Sequence, residues 1–200
     1  MRGRPKSFDR DQALEQAIVL FWEKGYTATG ISDLTSHMGI GRQSLYDTFG
    51  GKHELFLEAL RRYVDRRVRE ARETLQAPGS PMANLQTFFG MWREEALTGT
   101  CGCMIVNSTT EIGAADDQAA RLVERAMGRL EQLFRETLER ARDAGELADI
   151  ASPRALARLI IAVANGMAAR SRLGLDEEEL DDVLAALTGI LGAHSARPPA

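Results

Sequence analysis

The chain is short of almost everything that carries covalent chemistry or a membrane address. It has two cysteines and three histidines in 200 residues. His37, His53 and His194 are scattered and fall in no metal-ligand spacing, so no metal and no cofactor is expected and a zinc hydrolase is disfavoured. No phosphate-binding glycine loop and no Gly-x-Ser-x-Gly nucleophile elbow occurs. Gly39-Ile40-Gly41 begins a dinucleotide-type pattern, but Ser44 stands at its final glycine and a helical pattern precedes it. The longest apolar run, Leu159–Ala169, contains Asn165 and is too short to cross a bilayer. No signal-peptide pattern opens the chain, so the expected compartment is the cytoplasm. A structural disulfide is unexpected there. Strand-like alternation and internal repeats are also missing, which leaves an all-α fold. The opposing class is a small helical enzyme with a Cys nucleophile. No motif places a His beside Cys101 or Cys103, and the chain is read as not an enzyme.

Positive charge is scarce too. The net charge is −4, and residues 1–55 hold seven Lys/Arg against seven Asp/Glu. A protein coated in basic surface is excluded, and any affinity for nucleic acid must rest on a few placed cations. An apolar content of 44% with 27% charged residues is that of an ordinary globular protein with a real core.

What is present centres on Thr29–Leu55. Ile31, Leu34 and Met38 recur at helical spacing over Ile31–Met38. Gly39 then offers the left-handed conformation that ends a helix. A second short helix spans Arg42–Phe49, with Leu45 and Phe49 on one face and polar side chains on the rest. Two short helices about a glycine turn form a helix-turn-helix, whose second helix enters a DNA major groove. Arg42, Gln43 and Ser44 are the expected base readers, because Arg and Gln make bidentate contacts to guanine and adenine. Tyr46 is expected at a phosphate or base edge, and Lys52 at a phosphate beside a helix start. Arg4 and Lys6, in the leading MRGRPKS, form an arm that reaches phosphates or an adjacent minor groove, or else a solvated tail.

The segment resembles the DNA-binding region of the tetracycline-repressor (TetR) family of bacterial regulators. Phe21 and Gly25-Tyr26 end a first helix, Thr29 precedes the second, and Ile31 and Leu34 lie within it. Gly39-Ile40, Leu45-Tyr46, Phe49, Lys52 and Leu55 follow in the order and spacing of that family. The resemblance adds Thr29 to the DNA-facing set. It departs at Gly30 and Gly41, where Ser or Thr usually caps the second and third helices, and each departure removes a cap worth ~1 kcal/mol. The resemblance implies a homodimeric repressor, released from a palindromic operator in double-stranded DNA when a small molecule binds the C-terminal part. A two-fold dimer also answers a physical need, since one short helix reads too few base pairs to select a site.

Helical periodicity and breakers predict about nine helices. The DNA-binding domain is placed at 1–52 and a ligand-sensing and dimerisation domain at 53–194. A fourth helix over 52–76 connects them, and a disordered tail fills 195–200. The six arginines of the fourth helix (Arg61, Arg62, Arg66, Arg67, Arg69, Arg72) alternate with acids and read as a self-paired face. Later helices are expected at about Met82–Leu97, Cys103–Ile112, from Asp116 or Asp117 to Ala144, from Ser152-Pro153 to Leu173, and Glu177–Gly192. Phe88, Phe89, Trp92, Met104, Met127 and Phe134 line either a ligand pocket or a plain core. The last two helices carry Leu159, Val163 and Met167, and Val183, Leu187 and Leu191, among small residues. That breadth of apolar surface fits a dimer seam. Cys101-Gly102-Cys103 is either a pair of packing thiols or a redox, electrophile or soft-metal sensor.

Overall fold

The computed structural model describes residues 8–98, 101–112, 115–147 and 151–192. Arg4, Lys6 and the 195–200 tail lie outside these residues. Among the described residues there are nine α-helices and no strand. They are α1 (Arg10–Lys24), α2 (Ile31–Met38), α3 (Arg42–Phe49), α4 (Lys52–Leu75), α5 (Pro81–Thr98), α6 (Met104–Glu111), α7 (Asp117–Asp143), α8 (Pro153–Ser171) and α9 (Glu177–Gly192).

Local chemistry sets most helix ends. Asp9 caps α1, its Oδ1 accepting from the backbone N–H of Asp11 at 2.9 Å and of Gln12 at 3.1 Å. Asp116 does the same for α7 through Gln118 and Ala119. Ser152 Oγ accepts from Ala155 N–H ahead of Pro153, the first residue of α8. α2 and α3 start instead at Gly30 and Gly41, as the sequence implied, with no side-chain cap. Neither Thr29 nor Ser32 substitutes at α2. Asp33, in the first turn, reaches back to accept from Gly30 N–H at 3.0 Å. Gly39 ends α2 in the left-handed region (φ 66°), and Ile40 folds back into the core. That one residue sets the angle between α2 and α3.

A single buried cluster runs through the whole molecule. At one end Leu14, Ile18, Phe21, Leu34, Leu45 and Phe49 bring α1, α2 and α3 together. α4 is 24 residues, about 36 Å long. Its first half packs under that trio, where Phe56 meets Phe21 edge-on at 5.2 Å and Tyr26 at 4.8 Å. Its second half packs against α5, α6 and α7. Leu75, fully buried at its far end, presents its carbonyl to Thr137 and Arg140 of α7. α8 lies along α7, and α9 rests on α5 and α8. Arg93 of α5 pairs with Glu177 and Asp181 of α9.

Two left-handed glycines separate backbone strain from crowding. Gly39 has nothing within 4 Å of where a Cβ would sit, whereas at Gly102 (φ 66°) that atom would lie 2.6 Å from the Ala168 carbonyl oxygen. Gly39→Ala is expected to cost about 1 kcal/mol, from the strained φ alone. Gly102→Ala adds a backbone clash and is expected to cost at least about twice as much. Thermal melts of both variants check the order; equal losses would place the clash elsewhere.

Candidate nucleic-acid interface and sensor cavity

α3 owes its orientation to two anchors. Leu45 is fully buried and Phe49 nearly so, which fixes the rotation of the helix and turns Arg42, Gln43, Tyr46 and Asp47 outward. Gln43 Nε2 donates to Asp47 Oδ1 at 2.8 Å, one turn along, and the Arg42 guanidinium lies 5.9 Å from the Tyr46 ring. Ser44 is half-buried beside Leu45. Because Gly41 has no side chain, the first backbone N–H groups of α3 have no side-chain cap. Lys52, at the start of α4, holds its ammonium 4.4 Å from the centre of the Tyr26 ring. Gly51 caps that helix, also without a side chain.

Thr29 corrects an expectation. Its side chain is fully buried, and its hydroxyl donates to the Gly25 carbonyl at 2.5 Å. With that proton committed inside the turn, Thr29 fixes the α1–α2 connection rather than facing outward. No spacing argument could separate these roles, since a threonine before a helix suits both.

The second site lies between α4, α5, α6, α7 and α8. An apolar cavity of about 160 Å³ is walled by Phe88, Trp92, Met127 and Phe134 among others. Phe88 and Phe134 meet edge-to-face at 5.1 Å. Two of the expected pocket residues are elsewhere: Phe89 and Met104 are buried in the core and are not among its lining side chains. Both occupy the same helices as true lining residues, a rotation of one position away from them.

Cys103, but not Cys101, lines this cavity. Both thiols are free and half-buried. The Tyr63 hydroxyl of α4 approaches Cys103 Sγ at 3.9 Å. Burial, with the nearby Cys103, pushes the Tyr63 phenol far above its ordinary range, so it stays protonated and donates. One turn on, Arg67 bonds Glu95 of α5 at 2.6 Å. The cavity wall therefore includes the connector helix itself.

Trp22 and Glu111 join this body to the three-helix unit and His53 joins it to the start of α4, and the sequence announced none of these contacts. Trp22 Nε1 donates to the Gly102 carbonyl at 2.8 Å, just before α6. Glu111, the last residue of α6, accepts from the backbone N–H of Tyr26 at 3.0 Å and of Thr27 at 2.6 Å. Both ends of α6 are thus tied to the end of α1. His53 Nε2 meets Asp116 Oδ2 at 2.6 Å, linking the start of α4 to the cap of α7.

The expected dimer positions divide. Met167, Leu187 and Leu191 are buried within the protomer and belong to its own core. Leu159 is 38% exposed, and Val163 and Val183 are half-buried. Ala162, Gly166, Ala186 and Ile190 continue an exposed small-residue and apolar stripe beside them. Facing residues on one helix are shared between core and surface, and periodicity alone could not say which stripe faced which.

Leu45 and Phe49 are spent on holding α3 in place, so its outward side chains are free for the task such a helix performs, reading a groove of DNA. The molecule is by class a helix-turn-helix transcriptional regulator, not an enzyme. Residues 13–59 match the bacterial regulatory proteins, tetR family, and residues 81–187 match the tetracyclin repressor-like C-terminal domain. The chain belongs to this family of DNA-binding regulators. It is 42% identical over 147 residues to the uncharacterized HTH-type transcriptional regulator YezE of Bacillus subtilis, covering 72% of this chain and 76% of that protein. It is 29% identical to the HTH-type transcriptional repressor ComR of Escherichia coli, covering 90% of this chain and 87% of ComR. Among solved structures, a cysteine mutant of the TetR family regulator CifR bound to 26-bp operator DNA superposes with a TM-score of 0.80. That match has 29% identity and covers 94% of this chain and all of CifR's. The reduced form of Escherichia coli NemR shares the fold at a TM-score of 0.84, with 19% identity and 94% of this chain covered (98% of NemR's). Among the described residues no helix is long and apolar enough to cross a membrane.

The His53–Asp116 bond generates a pH prediction. Burial raises the Asp116 carboxyl, but the bonds from His53 and from the Ala119 and Gln118 amides outweigh it and hold it below the usual range. A depressed carboxyl stabilises the fold above its unfolded pKa and loses that contribution as pH falls through the folded value. Asp116→Asn should therefore melt below the parent at pH 7, with the gap closing below about pH 4. Melting curves from pH 7 to pH 3 measure it, and a gap that does not narrow would remove the charge from the account.

Proposed function

We propose that the protein is a homodimeric repressor acting in the cytoplasm, which leaves a palindromic operator when a small molecule occupies the cavity. The observation that carries the reading is the outward face of α3. Arg42 and Gln43 stand exposed at its N-terminal turn and Tyr46 one turn on, above two buried anchors. Arg42, Gln43 and Ser44 are assigned to base edges, Tyr46 to a phosphate or a base edge, and Lys52 to a phosphate. Arg4 and Lys6, outside the described residues, remain assigned to the backbone or minor groove on the sequence alone. The domain division stays as read from the sequence, at 1–52 and 53–194 with 52–76 as connector. The exposed stripe of α8 and α9, through Leu159, Val163 and Val183, is the dimer seam. ComR is named a repressor and CifR is seen on operator DNA, which supports the reading.

The switch follows from the wall of the cavity. Arg67, Glu70 and Ala71 of α4 line it, and Tyr63 stands behind Cys103, so a molecule entering the cavity pushes on the connector. The α6 side transmits as well, through Trp22 and Glu111. By linkage, the ligand weakens DNA binding by the factor by which DNA weakens the ligand.

A second reading has its own observation. Cys103 faces the cavity and touches Tyr63 of α4, so covalent modification there would strain the connector directly.

Two measurements test these assignments. Lys52→Ala should weaken specific and random DNA alike and lower the salt slope by about one unit. An unchanged slope takes Lys52 off the phosphates. In a gel shift with N-ethylmaleimide, parent and Cys101→Ser should release DNA while Cys103→Ser holds it. Equal binding in all lanes leaves both cysteines as packing residues and the noncovalent ligand as the signal.

A further inference from the structure

We infer that the cavity takes a small uncharged ring compound with one hydrogen-bonding group, of the class of aromatic alcohols and aldehydes. The inference rests on reading this cavity as the regulator's ligand site, and it deepens that reading by naming the chemistry.

Size limits the choice first. The free volume is about 160 Å³. Apolar cavities of about 150 Å³ hold one benzene-sized molecule, whereas drug-sized ligands need about 300 Å³ or more. One ring fills this volume, which favours it over multi-ring compounds and long acyl chains. The walls then favour a ring. Phe88 and Phe134 already stand edge-to-face, and Trp92, Met127 and Ile161 close the space around them. A flat aromatic guest gains edge and face contacts that an open chain of equal volume does not.

Charge is excluded by the one ionic part of the wall. Arg67 bonds Glu95 at 2.6 Å and Glu70 at 3.3 Å, so a single cation serves two carboxylates. An anion meets a wall that is already negative in sum. An ammonium would give up its hydration inside a largely apolar space for a single net negative charge already shared through the Arg67 guanidinium. What is left for recognition is Asn165 of α8, which also lines the cavity. Among the described residues its amide bonds only the Met127 sulfur, a weak acceptor, at 3.9 Å. A primary amide offers both a donor and an acceptor, which suits a hydroxyl or a carbonyl on the guest. Entry is at Met91, half exposed at the edge of the cavity, where Thr74 of α4 reaches its sulfur at 3.6 Å.

The experiment is a binding series on the full chain, read by calorimetry and thermal shift, with toluene, benzyl alcohol, benzaldehyde, benzoate, benzylammonium and decanol as probes. Benzyl alcohol and benzaldehyde should bind about fivefold tighter than toluene, the worth of one modest hydrogen bond. Benzoate, benzylammonium and decanol should bind at least about tenfold more weakly than benzyl alcohol. Asn165→Leu should bring toluene and benzyl alcohol to about the same affinity, while Ala164→Phe, which fills the cavity, should abolish both. Tighter binding of either ion, tighter binding of decanol, or no binding of any ring compound overturns the class. So does a benzyl alcohol preference that survives Asn165→Leu. A parallel gel shift separates the two levels. If the ring alcohols bind as stated but DNA affinity does not change, the ligand class stands and the reading of the cavity as the DNA switch fails.

Discussion

Helix α4 runs from one end of the buried core to the other, and the rest of the molecule depends on that span. Its first turns bury Leu55, Phe56, Ala59 and Leu60 under α1, α2 and α3, and its later turns bury Val64, Val68, Ala71 and Leu75 against the larger body. A rigid rod about 36 Å long cannot tilt at one end without moving at the other. Packed interiors do not deform continuously, so such a rod takes one of a few seats. A cavity walled by Arg67 and Ala71 therefore borders the same rod whose first turns carry the three-helix unit.

The polar contacts around α4 serve the same end in a different currency of strength. Phe56 against Phe21 and Tyr26 is apolar and close, and removing such a ring from a core costs about 3–5 kcal/mol. The ion pairs of α4 with α1, Arg10–Glu58, Arg62–Asp11 and Arg66–Glu15, are solvent-exposed and worth about 0–1 kcal/mol each. They steer the register of the two helices and absorb positive charge that would otherwise form a nonspecific nucleic-acid surface. The contacts of α6 lie between these extremes. Glu111 holds two backbone amides of the α1–α2 connection, and Trp22 holds the carbonyl of Gly102. These bonds place the cysteine loop one hydrogen bond from the DNA-reading unit.

Charge economy fits the function of the family. With seven basic and seven acidic side chains in residues 1–55, the reading unit has no broad positive field. Affinity must come from placed groups and from two copies acting together, and a small rearrangement then suffices to lose it. A strongly basic surface would hold DNA whatever the angle of its helices.

Much of this was legible in the sequence, for physical reasons. Helices α2, α3 and α9 begin and end at the residues that periodicity and glycine punctuation predict, because those signals act within a single turn of backbone. Gly30 and Gly41 stand out as uncapped helix starts only against the pattern of the resembled family, and both helices start there without a side-chain cap. The family resemblance was carried by the spacing of buried anchors, Leu34, Leu45 and Phe49, which the fold cannot vary. The tertiary structure decided the rest. Thr29 turned inward, Phe89 and Met104 went to the core and Phe88 to the cavity, and Met167, Leu187 and Leu191 were taken up by the protomer's own packing. The sequence states that a helix has apolar faces; which neighbour each face meets depends on rotations of a residue or less. Contacts such as Trp22–Gly102, Glu111–Tyr26 and Tyr63–Cys103 join residues 40 or more positions apart. No local signal encodes them, because they exist only once the helices have been packed.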